Sequence, residues 1–240
     1  MEELFRINKF IADSGYCSRR EADKLVDEGR VTVNGKPAES GMKVSRKDEV
    51  LIDGKSVTKS DSKVYLLFNK PVGVVCTTDK REKNNIIDFM KYQTRIMYAG
   101  RLDKDSEGLM LMTNDGDLID TLMRSRNNHE KEYIVTVDRR IDKNFIYEIR
   151  NGLYLEELGV TTKKCKATLI DNNTFRIVLT EGYNRQIRRM CEALSANVIS
   201  LKRVRIVNLT LDGINVGKYR NLTKEELKGL FEKIGYKGSK

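Results

Sequence analysis

Apolar positions in the first sixty residues fall at helical spacing and then at strand spacing. Ile7, Phe10 and Ile11 share one face of a short helix that Gly15 ends. Ser18-Arg19-Arg20-Glu21 has the form of a capping box: a serine hydroxyl for the first free N–H groups and a glutamate three residues on, reaching back. The helix it opens turns Ala22, Leu25 and Val26 inward and ends at Gly29. Val31-Thr32-Val33 runs as a strand into an Asn34-Gly35 turn, and Val50-Leu51-Ile52 before Asp53-Gly54 repeats the pattern. The polar stretch 56–63, SVTKSDSK, reads as a linker, so the expected division is residues 1–60 and 64–240.

Beyond the linker, Val64–Asn69 is an apolar strand ending at the turn Lys70-Pro71-Val72-Gly73, with a second strand expected at Val74-Val75-Cys76. Further strands are predicted at Leu109–Thr113, Lys131–Val137, Lys164–Ile170 and Phe175–Thr180. Helices are predicted at Asp117–Arg124, Lys143–Asn151, Arg185–Leu194 and Lys224–Ile234, with a frayed tail after Gly235. Strands and helices do not alternate regularly. The fold class is therefore α+β, with a mostly antiparallel mixed sheet flanked by helices.

Composition narrows the class. The 240 residues, 39% of them hydrophobic, suffice for a sizeable core in one or two domains. No apolar run is long enough to span a bilayer, and MEELFRINKF carries acids and no signal-peptide core, which points to the cytoplasm. Cys17, Cys76, Cys165 and Cys191 form no C-x-x-C pair, and His129 is the single histidine. No zinc ligand set can be drawn, and free thiols in a reducing compartment are expected. The net charge of +10 favours a polyanionic partner. Its distribution is uneven: Arg185, Arg188, Arg189, Lys202, Arg203 and Arg205 stand against Glu192 alone within 182–205. That segment reads as a basic patch tracking a nucleic-acid backbone.

Two short helices followed by small hairpins, with Arg19, Arg20 and Lys24 on exposed helix faces, resemble an S4-type RNA-binding domain over residues 5–55. Four later segments carry a second resemblance: Asn69-Lys70-Pro71-Val72-Gly73, Gly100-Arg101-Leu102-Asp103-Lys104-Asp105, Lys131-Glu132-Tyr133, and Asn184-Arg185-Gln186-Ile187-Arg188-Arg189-Met190. In this order, behind an S4-like module, they resemble the RsuA-type family of ribosomal RNA pseudouridine synthases. The details NHEKEY, VTTKKCK and NRQIRRMCE are most similar to the F-type large-subunit (23S) enzymes of that family.

By itself, an aspartate on a turn usually serves local hydrogen bonds. Asp103-x-Asp105-x-Glu107-Gly108 also opens like a calcium loop, but the twelfth position is Asn114, where that loop needs a bidentate glutamate. The resemblance instead implies that Asp103 is the required carboxylate. Pseudouridine formation breaks the N1–C1′ bond, turns the uracil and rejoins it through C5. No electrons are transferred overall, so no redox cofactor is called for, and the chain shows no dinucleotide or P-loop motif. The carboxylate acts either as nucleophile at C1′ or as base at C2′.

On a helical wheel Ile187, Met190, Cys191 and Leu194 make the core face of the fourth segment, Arg185 and Arg189 point outward, and Arg188 lies at the edge. Read alone, Arg188 could equally pair with Glu192; the resemblance makes it the partner of Asp103. Tyr133 sits in an alternating strand, where a tyrosine is most often core; the resemblance places it against the target base. Read alone, Lys70 is a solvated lysine at a strand-ending turn; the resemblance places that turn beside the active-site cleft, in a supporting role. Arg19, Arg20, Lys24, Lys70, Arg101, Arg185, Arg189 and Arg203 are the expected RNA contacts, and no metal ligands are expected. The implied substrate is ribosomal RNA, 23S first, with 16S rRNA or a transfer RNA as alternatives, and a monomer is the default. A non-catalytic S4-type RNA-binding factor is the rival class. A nuclease or DNA-binding protein is weaker, since no acidic cluster for two metals and no helix-turn-helix is visible.

Overall fold

The computed structural model describes residues 3–57, 62–124 and 128–238, so the middle half of the expected linker and the last two residues of the tail lie outside the described residues. The chain divides into two compact units: Met1–Val64 with Tyr92–Met97 and Asn114–Gly116, and Tyr65–Lys91 with Tyr98–Thr113 and Asp117–Lys240.

The first unit begins with β1 (Phe5–Arg6), α1 (Ile7–Asp13) and α2 (Arg19–Asp27). Ser18 caps α2, its hydroxyl accepting from the Glu21 N–H at 3.2 Å. β2 (Val31–Val33), β3 (Lys36–Pro37), β4 (Lys43–Val44), β5 (Val50–Ile52) and β6 (Lys55–Ser56) follow. The small sheet has the order β3-β2-β5-β6, and β1 pairs with β4. The β2–β3 turn places Asn34 at φ 51° and Gly35 at φ 78°, the left-handed pair that a tight two-residue hairpin requires. Ile7, Ile11, Ala22, Val31, Val44 and Ile52 are buried together, as the helical and strand spacings predict.

The second unit runs β7 (Tyr65–Lys70), α3 (Ile86–Met90), β8 (Met97–Ala99), β9 (Glu107–Thr113), α4 (Gly116–Met123), β10 (Lys131–Val137) and α5 (Lys143–Asn151). A short hairpin of β11 (Tyr154–Leu155) and β12 (Val160–Thr161) leads to β13 (Lys166–Leu169), β14 (Thr174–Leu179), α6 (Gln186–Ala193), β15 (Val198–Ile206), β16 (Leu209–Thr210), β17 (Tyr219–Asn221) and α7 (Lys224–Ile234). The main sheet has the order β13-β14-β10-β15-β9-β7-β17, with β16 on β15 and β8 on β9. Its β10–β14, β10–β15 and β7–β9 ladders are antiparallel, and β9–β15 is parallel. The α+β reading with a mostly antiparallel mixed sheet therefore describes the observed architecture.

Two departures from the sequence expectation bear on the site. Val74-Val75-Cys76 is not a strand. Val75 makes only an isolated bridge to Asn85, and the segment runs as loop toward α3. The nine-residue β15, at the centre of the sheet, falls where the charged residues Lys202, Arg203 and Arg205 hide the alternation. β15 meets β9 at Gly108, whose φ is 109° and where a Cβ would collide with the Arg203 carbonyl oxygen. Only glycine lets the two backbones approach there.

Valines 135 and 137 of β10, Phe175 and Ile177 of β14, Ile146 and Ile149 of α5, and Met190 and Cys191 of α6 form one core on one face of the sheet. Successive side chains of a strand point to opposite faces, so Lys131 and Tyr133 continue the Val135–Val137 row beyond the edge of that core. That row end is the wall of a cleft.

Candidate active site

The cleft is open, has a volume of about 640 Å³ and lies wholly within the second unit. Asp103 enters it from the loop between β8 and β9, its side chain 34% exposed. Several bonds fix that loop. Ser106 N–H donates to the Asp103 carbonyl at 3.1 Å, and Gly73 N–H donates to the Lys104 carbonyl at 2.7 Å. The Lys70 ammonium donates to the carbonyls of Ser106 at 2.7 Å and Pro71 at 3.0 Å. The Lys-Pro-Val-Gly turn is thus a brace beneath the aspartate loop. Its lysine is fully buried, and burial pulls the Lys70 pKa below the usual ammonium range. Lys70 cannot meet a phosphate from there, which corrects its place among the expected RNA contacts.

The guanidinium nearest Asp103 is Arg185, with Nη1 3.7 Å from Oδ2; the same Nη1 lies 3.3 Å from Asp105 Oδ2. Arg188 takes a different role from the one expected. It is 6% exposed, and its Nη2 donates to the Asp105 carbonyl at 3.0 Å and lies 3.2 Å from the Asp105 carboxylate, while Nη1 donates to the Val198 carbonyl at 3.0 Å. Arg188 keeps the buried edge that the helical wheel gives it but grips Asp105, while Arg185, expected to point outward, is the guanidinium that faces Asp103. The cause is local: α6 starts at Gln186, and Arg185 sits before it at φ 51°, which swings its side chain back over the aspartate loop.

Tyr133 is half-buried and lines the cleft, with Arg203 as its partner on β15. Arg203 is 1% exposed; its Nε donates to the Leu109 carbonyl at 2.7 Å and its Nη2 contacts Met110 Sδ at 2.9 Å. It too is a buried structural cation that no phosphate can reach, although it adds positive potential to the cleft wall.

The remaining cations of the basic segment are also engaged. Arg189 pairs with Glu157 and donates to the Asn184 carbonyl. Arg205 bridges Glu130 at 3.0 Å and Glu132 at 2.7 Å, and Lys202 lies 4.0 Å from Glu107. Apart from exposed Arg185 and buried Arg203, the cations of 182–205 are thus paired with acids from elsewhere in the chain, and the segment is a braced scaffold, not an open patch. Exposed positive charge at the cleft comes from Arg101, Lys104, Arg124 and Arg185. Arg19, Arg20 and Lys24 are exposed on α2, as expected, in the first unit.

Lys131 was missed, although its spacing from Tyr133 on a strand was enough to find it. It lines the cleft, and burial followed by the charge of Arg203 brings its pKa down to about 8. His129 also lines the cleft from a loop, and burial lowers its pKa, which favours the neutral ring at pH 7. A carboxylate facing a guanidinium, an aromatic wall and a cationic rim can hold an anionic strand, receive one flat base and act on its sugar.

Known proteins offer close parallels. Residues 64–193 match the family model described as RNA pseudouridylate synthase, and residues 5–50 match the S4 domain. The dual-specificity RNA pseudouridine synthase RluF of Salmonella typhi is 47% identical over 95% of this chain and 79% of its own length. The ribosomal large subunit pseudouridine synthase B of Bacillus subtilis is 38% identical over 94% and 95% of the two chains. A crystal structure of a pseudouridylate synthase superposes with a TM-score of 0.70 at 31% identity, covering 94% of this chain and 99% of that one.

Proposed function

Because the chain belongs to the RNA pseudouridylate synthase family and carries an S4 domain ahead of the synthase domain, we propose that it isomerises specific uridines of large-subunit (23S) ribosomal RNA, in the cytoplasm, with residues 1–60 docking RNA and 64–240 performing the chemistry. The observation that carries the site assignment is the Asp103 carboxylate in the cleft, with Arg185 at 3.7 Å and Tyr133 in the same wall. The extruded uridine enters with its base against Tyr133 and its ribose toward Asp103. The carboxylate acts on the sugar, as nucleophile at C1′ or base at C2′, and the N1–C1′ bond breaks. The uracil turns and bonds through C5; the proton that C5 loses is balanced by the one N1 gains. Arg185, 3.7 Å away, aims the carboxylate.

The large-subunit substrate draws on the Bacillus subtilis relative's name; the dual specificity named for the Salmonella typhi relative supports a second RNA, for which transfer RNA and 16S rRNA are the alternatives. Mapping pseudouridine in cellular RNA with and without the gene decides among them. A large-subunit site should vanish on deletion and return with the wild-type gene. Asp103→Asn should lower the isomerisation rate by at least ~10³-fold while RNA binding persists. Full recovery with that variant would remove Asp103 from the chemistry, and loss confined to 16S or transfer RNA would reassign the substrate.

A further inference from the structure

The segment Glu181-Gly182-Tyr183-Asn184-Arg185 joins β14 to α6 and forms one side of the cleft. It is tightly pinned. The Glu181 carboxylate, 8% exposed, accepts from the Gln186 side-chain amide at 2.8 Å and from the Lys163 N–H at 2.9 Å. Gln186 Oε1 in turn accepts from the Tyr183 N–H at 3.1 Å, and the Gln186 N–H returns to the Tyr183 carbonyl at 3.2 Å. Arg189 Nε holds the Asn184 carbonyl at 3.0 Å.

This braced loop presents Tyr183 with 41% of its surface exposed. A single exposed aromatic is ordinary on a protein surface; the position of this one is not. Tyr133 and Tyr183 line the same cleft, the first half-buried and the second exposed, among Arg101, Lys104 and Arg185. Single-stranded nucleic acid is held by this combination, with bases stacked on rings and phosphates facing cations. A strand whose uridine occupies the Tyr133 wall must carry its neighbouring nucleotides out past the rim.

We propose that Tyr183 is a stacking subsite for a nucleobase flanking the target uridine, contributing to substrate affinity and to the choice of sequence context. This rests on the cleft being the isomerisation centre. The subsite adds no bond-making step; its contribution is to binding.

The test uses synthetic RNA spanning a modified uridine, intact or with an abasic nucleotide immediately 5′ or 3′ of it. Wild type, Tyr183→Ala and Tyr183→Phe are compared for affinity and for rate at saturating RNA. Tyr183→Ala should bind intact RNA about tenfold more weakly with its saturating rate unchanged, as loss of one base–aromatic stack requires. Tyr183→Phe should match wild type. One abasic substitution should weaken wild type to the same extent and leave Tyr183→Ala unaffected. The proposal is overturned by unchanged affinity in Tyr183→Ala, by a loss confined to the saturating rate, or by additive losses on both abasic RNAs. Equal activity of wild type and Asp103→Asn in the same assay would instead overturn the reading of the cleft beneath it.

Discussion

At the scale of single residues, Lys131 offers the sharpest handle because its proton is coupled to two equilibria of opposite sign. Its pKa is brought down to about 8 by burial and by Arg203, against an ordinary value of 10.5. Between those values the unfolded chain binds more protons than the folded one, so the lysine's contribution to stability rises with pH across that window. RNA acts the other way. A phosphate in the cleft favours the ammonium, so affinity should fall as pH rises through about 8. Lys131→Met removes the titrating group and should flatten both trends. Denaturant unfolding and RNA-binding titrations at about pH 7 and about pH 9.5 check this directly. Parallel pH dependence of affinity in wild type and variant would mean that Lys131 does not titrate near the bound strand. Lys70 and Arg203 serve as the contrast, since both are fully buried, Lys70 donating to the Ser106 carbonyl and Arg203 Nε to the Leu109 carbonyl.

At the scale of elements, legibility followed where each element's determinants lie in the chain. β10, α5 and α7 begin and end where their patterns place them, because local signals suffice. α5 has Asp142 accepting from the Phe145 N–H, and α7 has a full capping box from Thr223 and Glu226. β15 was hidden because its cations are neutralised by Glu107, Glu130 and Glu132 on and beside strands far away in sequence. Nothing within 198–206 reveals those partners. The site divides the same way. Asp103 and Tyr133 line the cleft, and it was the family resemblance of their segments, not their local pattern, that singled them out. The position of Arg185 facing Asp103 depends on α6 starting one residue late, at a left-handed Arg185 that a helical wheel cannot anticipate. The two arginines therefore make separable predictions. Arg188 ties α6 to the aspartate loop from a buried position, so Arg188→Ala should cost about 3 kcal/mol in urea unfolding. Arg185 is 41% exposed, so Arg185→Ala should change stability by only ~0.5 kcal/mol yet slow the saturating rate by ~10-fold or more. A large stability loss in Arg185→Ala with an unchanged rate would restore the original assignment.

At the scale of the whole molecule, the question is where a net charge of +10 acts on RNA when the densest basic segment, Arg185 and Arg203 apart, is paired with acids from other segments. Counterion release answers to cations that a phosphate can reach, and a guanidinium locked between two carboxylates releases none. Among the exposed cations are those on the cleft rim and those on α2 of the S4 unit, where Arg20 and Lys24 face solvent and the Lys24–Glu28 pair at 3.6 Å is open to screening. Replacing Arg20 and Lys24 together with alanine should weaken RNA binding and lower the slope of log affinity against log salt by about one to two, leaving the rate at saturating RNA unchanged. Replacing Arg205 with alanine should leave that slope as it is, because its contacts are Glu130 and Glu132, and its effect should fall on stability through the partly buried carboxylates it strands. Binding titrations across a salt series separate the two cases. A slope that drops for Arg205 and not for the α2 pair would return the RNA backbone to the 182–205 segment and leave α2 as a solvated helix face.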